Sequence, residues 1–252
     1  MLGFFNFKSN NPEGSKSVNT SFSSKDMITK AVLKEVKPQY VSVPFESKFP
    51  SKAEIETIAK SNLCIVKLFH NYKLQILVNI EELEKLKKGH LEKTRDVVVK
   101  IYSALPEELK KEVNIFNLQA AALYHDYGKV LIPREILNKG GKLNFYEREI
   151  MRLHSIIGYE LLRNNGFDEK VLNLIKYHHQ NLHKNGYPAV GRDFDFGIEF
   201  QILNIADKYT ALREERCYKN PFGKYEALEI IAKEVNEGLI SQEVYTALIK
   251  SV

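Results

Sequence analysis

The stretch Leu118-Gln119-Ala120-Ala121-Ala122-Leu123-Tyr124-His125-Asp126-Tyr127-Gly128-Lys129 places Leu118, Ala121, Ala122 and His125 on one helical face. That apolar face ends in a histidine followed by an aspartate. The same pattern runs outward in both directions. Upstream, Leu83, Leu86, His90, Val97 and Ile101 recur at helical spacing, and Pro106 suits the first turn of another helix. Downstream, Ile150, His154, Ile157 and Leu161 share a face. Asp168 can cap a helix with an inner face of Val171, Leu174 or Ile175, His178 and Leu182. Phe200, Leu203 and Asp207 form the next stripe, then Leu228, Ile231 and Val235, then a short helix from Gln242. The expectation is an all-α helical array from Asn79 to the end.

The first part of the chain reads differently. Residues 1–25, Ser/Asn-rich from Ser9 onward, are expected to form a flexible tail. Residues 26–78 are expected to form a small N-terminal lobe of undetermined or mixed structure, broken by Pro38, Pro44 and Pro50, with an extended-looking stretch at Val41 and Val43. Ser51-Lys52-Ala53-Glu54 fits a capping box for a short helix through Lys60. Periodicity does not separate strand from buried helix between Leu63 and Val78. The chain shows neither a nucleotide-binding glycine loop nor an internal repeat.

Across 252 residues, 44% are hydrophobic and 27% charged, enough to bury a core. Apolar runs such as Leu63 to Val66 are too short to cross a bilayer. The net charge of +5 fits a small anionic ligand and does not call for a nucleic-acid polymer. Cys64 and Cys217 lie far apart and read as reduced thiols. The N-terminus lacks a secretory pattern, and the expected location is cytoplasmic.

His90, His125, Asp126, His154, His178, His179 and Asp207 lie on or beside apolar stripes. Buried polar groups need partners, and for any one histidine the simplest account is a satisfied core side chain. Seven such residues favour a shared partner. Histidine with carboxylate is a ligand set for iron, manganese, nickel or zinc, and a carboxylate can bridge two cations. Neighbours such as His178 and His179 project about 100° apart on a helix, which disfavours chelation as a fork.

His125-Asp126-Tyr127-Gly128-Lys129, Ile132-Pro133, His154, His178-His179, Gly186-Tyr187-Pro188 and Ala206-Asp207-x-Tyr209-x-Ala211-Leu212 together resemble the HD-GYP family, a branch of the HD-superfamily metal-dependent phosphohydrolases. The resemblance covers roughly residues 79–235 and implies an HD-type helical bundle within an expected domain spanning 79–252. It implies that His90, His125, Asp126, His154, His178, His179 and Asp207 bind two divalent transition-metal ions, iron or manganese first and nickel or zinc next. Asp126 would bridge them. Asp126 and Lys129 are the implied catalytic residues. Lys129, Arg216, Lys219, Gly186, Tyr187 and Pro188 are the implied substrate contacts, although a solvated surface charge is the simpler account of any single one of these cations.

The family usually reads His-His-Glu, then Asp-Gly before Gly-Tyr-Pro. Gln180, His183 and Lys184 stand at those places here. Leu86 stands where members with three metals carry a glutamate, so two metals are expected. The implied function is a phosphodiesterase that opens cyclic di-GMP or a related cyclic dinucleotide through a metal-bridged hydroxide. The implied partners are that substrate and cyclic-dinucleotide signalling proteins such as diguanylate cyclases. The altered 180–184 stretch supports an alternative, a metal-binding signalling module of weak or absent activity that works through protein contacts. A phosphatase for nucleotide monophosphates is disfavoured by Gly-Tyr-Pro and the Arg216 region.

Overall fold

The computed structural model describes residues 50–215 and 220–252. The tail expected over 1–25, residues 26–49 of the expected lobe, and Arg216 and Lys219 lie outside the described residues.

The described residues form helices joined by loops, the longest of them between Tyr177 and Ile198, with no strand among them. Helix α1 (Lys52–Ser61) starts in the expected capping box: Ser51 accepts from the Glu54 backbone while Glu54 reaches back to the Ser51 N–H. Asn62 ends α1 and caps α2 (Leu63–Asn71), accepting from the N–H groups of Cys64 and Ile65. The Leu63–Val78 stretch is therefore helical in its first half. The Asn62 amide also donates to the Glu160 carboxylate at 2.7 Å, which ties both helices to α8, introduced below. Ile55, Ala59, Ile65 and Phe69 are buried in the same core as the downstream helices.

Asn79 caps α3 (Ile80–Leu86) by accepting from the Glu82 N–H. The chain then enters a π-helical segment, Lys87–Leu91, before α4 (Glu92–Ala104). The stripe from Leu83 to Ile101 is thus not one regular helix. The wider π turn carries one extra residue, and His90 sits inside it. Pro106 is the N-cap, not the first residue, of a single turn, α5 (Glu107–Lys110). Helix α6 (Ile115–Tyr124) runs into a 3₁₀ turn (Tyr127–Leu131), followed by α7 (Arg134–Leu137).

A second capping box, Asn144 with Glu147, opens α8 (Phe145–Leu162). Asp168 caps α9 (Glu169–Tyr177) as expected, accepting from the Lys170 N–H. Helices α10 (Ile198–Arg213), α11 (Lys224–Asn236) and α12 (Gln242–Ser251) complete the bundle. Helix α4 packs against α6, α10 and α12, while α8 packs against the 3₁₀ turn and α9. Leu118, Ile157, Ile175, Leu203 and Leu228 are among the fully buried side chains at the centre. Burial of such residues stabilises by about 1.5–3 kcal/mol each and fixes the helix ends that carry the polar cluster.

Candidate metal centre

The seven residues singled out from the sequence converge. One group is His90, His125, Asp126 and Asp207; the other is His154, His178 and His179. Within each group, one ligand-capable atom per residue lies within 4.8 Å of all the others. Asp126 stands between them. Its Oδ2 lies 3.6 Å from both His90 Nε2 and His125 Nε2, and its Oδ1 lies 3.4 Å from His154 Nε2.

Helix ends explain the convergence. Helix α6 stops at Tyr124, so His125 and Asp126 turn into one site. Helix α9 stops at Tyr177, His178 is its C-cap, and His179 lies beyond, bridged antiparallel to Tyr187. The divergence of about 100° expected for neighbours on a helix therefore does not apply. The Nε2 atoms of His178 and His179 lie 3.3 and 3.2 Å from His154 Nε2.

Tautomers follow from the other ring nitrogens. Nδ1–H donates to the carbonyl three residues earlier in His125 (Ala122, 2.9 Å), His154 (Met151, 2.7 Å) and His178 (Ile175, 2.7 Å). Each ring then presents an Nε2 lone pair to the cluster. Burial lowers the His154 pKa to about 4 and that of His178 to about 3, and pushes His179 well below its ordinary value. Neutral rings leave His154 and His178 facing one another lone pair to lone pair. His125 Nε2 is buried with no hydrogen-bond partner. Facing lone pairs and an orphaned buried nitrogen are satisfied together by cations, so the donor set fits a transition-metal pair.

The carboxylates match. Burial alone would raise the Asp126 pKa, but the Lys129 ammonium and the neighbouring histidines hold it well below the carboxylate range. Asp207 is likewise held low against burial, by the His90 ring that hydrogen-bonds it at 3.0 Å. Burial alone would lower the His90 pKa. Its hydrogen bonds to Asp207 (3.0 Å) and Glu214 (2.8 Å) outweigh that and raise it to about 9.

Lys129 pairs with Asp126 Oδ2 at 2.5 Å and faces a cleft of about 520 Å3. His90, Asp126, His154, His179, Tyr187 and Asp207 also line this cleft. Gly128 serves packing: a Cβ there would lie 1.9 Å from the His154 carbonyl oxygen and 2.5 Å from the Gly158 nitrogen. Tyr187 stacks on His179 with centroids 4.5 Å apart, under the Arg152 guanidinium. Gly186 and Pro188 do not line the cleft. They hold the loop: a Cβ on Gly186 would meet the His179 carbonyl oxygen at 2.1 Å. The Gln180 amide donates to the Pro188 carbonyl and accepts from the Gly186 N–H. Asn204 donates to the carbonyls of His178 (2.7 Å) and Gln180 (3.0 Å).

Glu214 belongs to this site and is absent from the sequence-derived set. It stands seven residues after Asp207, but at the C-cap beyond the last regular turn of α10, so spacing alone does not single it out.

The sequence profile of the HD domain family matches residues 78–244, and the chain belongs to that family. A cyclic di-GMP phosphodiesterase of Thermotoga maritima is 35% identical over 141 residues, covering 55% of this chain and 38% of the relative. A 3'3'-cGAMP-specific phosphodiesterase of Vibrio cholerae is 30% identical over 152 residues, covering 58% and 35%. A cyclic di-GMP phosphodiesterase response regulator of Xanthomonas campestris is 38% identical over 114 residues, covering 44% and 29%. The matched part of this chain thus spans little more than a third, or less, of each of these relatives.

Proposed function

We propose that the protein is a metal-dependent phosphodiesterase acting on cyclic di-GMP or a related cyclic dinucleotide. The observation that carries this reading is Asp126, with one carboxylate oxygen turned to each group of histidines. The names borne by the Thermotoga and Vibrio relatives support the substrate class. On this reading His90, His125 and Asp207 hold one cation, His154, His178 and His179 hold another, and Asp126 spans the two. Iron or manganese suits this mixed imidazole–carboxylate set.

A bound pair of divalent cations supplies an acidified water and charge neutralisation at phosphorus. The chain supplies the rest. Lys129, on the cleft wall beside Asp126, neutralises charge that grows on the non-bridging oxygens. Tyr187, held against His179, walls the cleft on the opposite group. The cleft volume of about 520 Å3 lies in the range of small-molecule sites. Arg216 and Lys219 are assigned to the substrate phosphates by their motif.

The test joins metal analysis to hydrolysis of cyclic di-GMP and 3'3'-cGAMP by anaerobically purified protein. Wild type should hold two transition-metal ions and release linear product. Asp126→Ala should lose both ions and all turnover. Lys129→Ala should keep both ions and lose about 10²-fold or more in kcat, the order seen when one stabilising donor is removed. One ion or none after metal loading would overturn the two-cation site. Binding of a dinucleotide without any cleavage would favour a signalling module over an enzyme.

A further inference from the structure

We infer that Glu214 is a positioning residue for the metal centre: it orients the His90 ring and leaves Nε2 as that ring's ligating atom. This rests on the two-cation reading above. Among the described histidines of the cluster, His125, His154 and His178 are each oriented by a backbone carbonyl three residues back. Such a contact is built into helical geometry and needs no special side chain. His90 differs. It sits in the π segment Lys87–Leu91, and its Nδ1 meets the Glu214 carboxylate at 2.8 Å. That partner comes from 124 positions away, at the C-cap of α10.

Only one ring nitrogen can offer its lone pair to a cation while the other carries a proton. A carboxylate on Nδ1 keeps the proton there and turns Nε2 toward Asp207 and Asp126, at 3.0 and 3.6 Å. Glu214 is itself held. Its second oxygen accepts from Lys93 Nζ at 3.3 Å, and its backbone leaves the helix extended, with φ −95° and ψ 144°. Carboxylates that support a ligating histidine in this way contribute about 10- to 100-fold in metal affinity.

Reach and charge can be varied separately. Glu214→Gln keeps an acceptor oxygen at the same reach and removes the charge. Glu214→Asp keeps the charge and withdraws it by one methylene. Mn2+ affinity and stoichiometry of the full chain, by titration calorimetry and chelator competition, are the readouts, with Glu215→Ala as a control for cleft charge. Glu214→Ala and Glu214→Asp should each weaken one of the two Mn2+ sites by about 10- to 100-fold and spare the other. Glu214→Gln should recover most of that loss, and Glu215→Ala should match wild type. The aspartate variant decides the matter if the alanine variant does not fold. Wild-type affinity at both sites in Glu214→Asp would overturn the assignment, and so would equal losses in Glu214→Gln and Glu215→Ala, which mark a general charge effect. A wild-type protein that binds no Mn2+ overturns the two-cation reading instead.

Discussion

Gln180 stands where HD-GYP sequences usually have glutamate, and its buried amide makes a pair of contacts that a carboxylate cannot make together. The NH2 group donates to the Pro188 carbonyl while the oxygen accepts from the Gly186 N–H. A glutamate could accept from Gly186, but it would turn a second acceptor toward the Pro188 oxygen in a site with no exposed side-chain surface. The substitution that looks like decay in the motif is therefore a working clamp on the Gly-Tyr-Pro loop. Gln180→Glu should destabilise the protein by about 1–3 kcal/mol, the cost of an unsatisfied buried polar group. Urea denaturation of wild type and variant checks this, and equal midpoints would contradict it. Gln180→Met, which fills the volume without either contact, should show a loss of similar order.

At the scale of elements, the tightest join is where the 3₁₀ turn crosses α8 at Gly128 and Gly158. A methyl group on Gly128 would occupy the space of the His154 carbonyl, and backbone on both sides cannot swing away. Gly128→Ala should cost about 3 kcal/mol or more, at the upper end for overpacking. It should also weaken metal binding, because the displaced strip of α8 carries His154. Chemical denaturation and Mn2+ titration test both parts. A variant with wild-type stability would show that the crossing has slack. Much of this architecture is legible in the sequence because helix starts carry local chemistry: the Ser51 box, the Asp168 cap and the onset at Gln242 can all be read from neighbouring residues. The seven clustered residues are legible because polar groups on apolar stripes need partners. Two features escape such reading. The π turn at Lys87–Leu91 puts five positions between the buried Leu86 and Leu91, and a stripe read through His90 at helical spacing passes over that step. Glu214 is one acidic residue among several near a helix end, and its contact with His90 depends on how α10 docks against the π segment.

For the whole molecule, the histidine cluster fixes how stability depends on pH. His154 and His178, brought from 6.5 to about 4 and about 3, stay neutral in the fold, and His179 behaves in the same direction. A group whose folded pKa is depressed contributes stability above its unfolded value and loses it as pH falls. His90 has the opposite sign. Raised to about 9, its contribution is complete below 6.5 and is lost as pH rises through about 9. Between 6.5 and about 4 the His90 contribution is constant, so the other three set the trend there. Asp126 and Asp207, also held low, act in the same acid-destabilising direction at lower pH. The melting temperature of chelator-treated protein should therefore fall steadily from pH 6.5 to about 4. A flat profile over that interval would mean that the rings are not held neutral.

The distance along the chain between the residues that close the site has a consequence for biosynthesis. His90 and Asp207 are 117 positions apart, and the other five members of the cluster lie between them. At a synthesis rate of roughly 5–20 residues per second, about 6 to 23 s separate the two on the ribosome. Until Asp207 has been made, His90 and His125 lack one of their companions, whereas His154, His178 and His179 are complete earlier. On the two-cation reading, the ion held by His90, His125 and Asp207 would be the later of the two to find its full set of ligands.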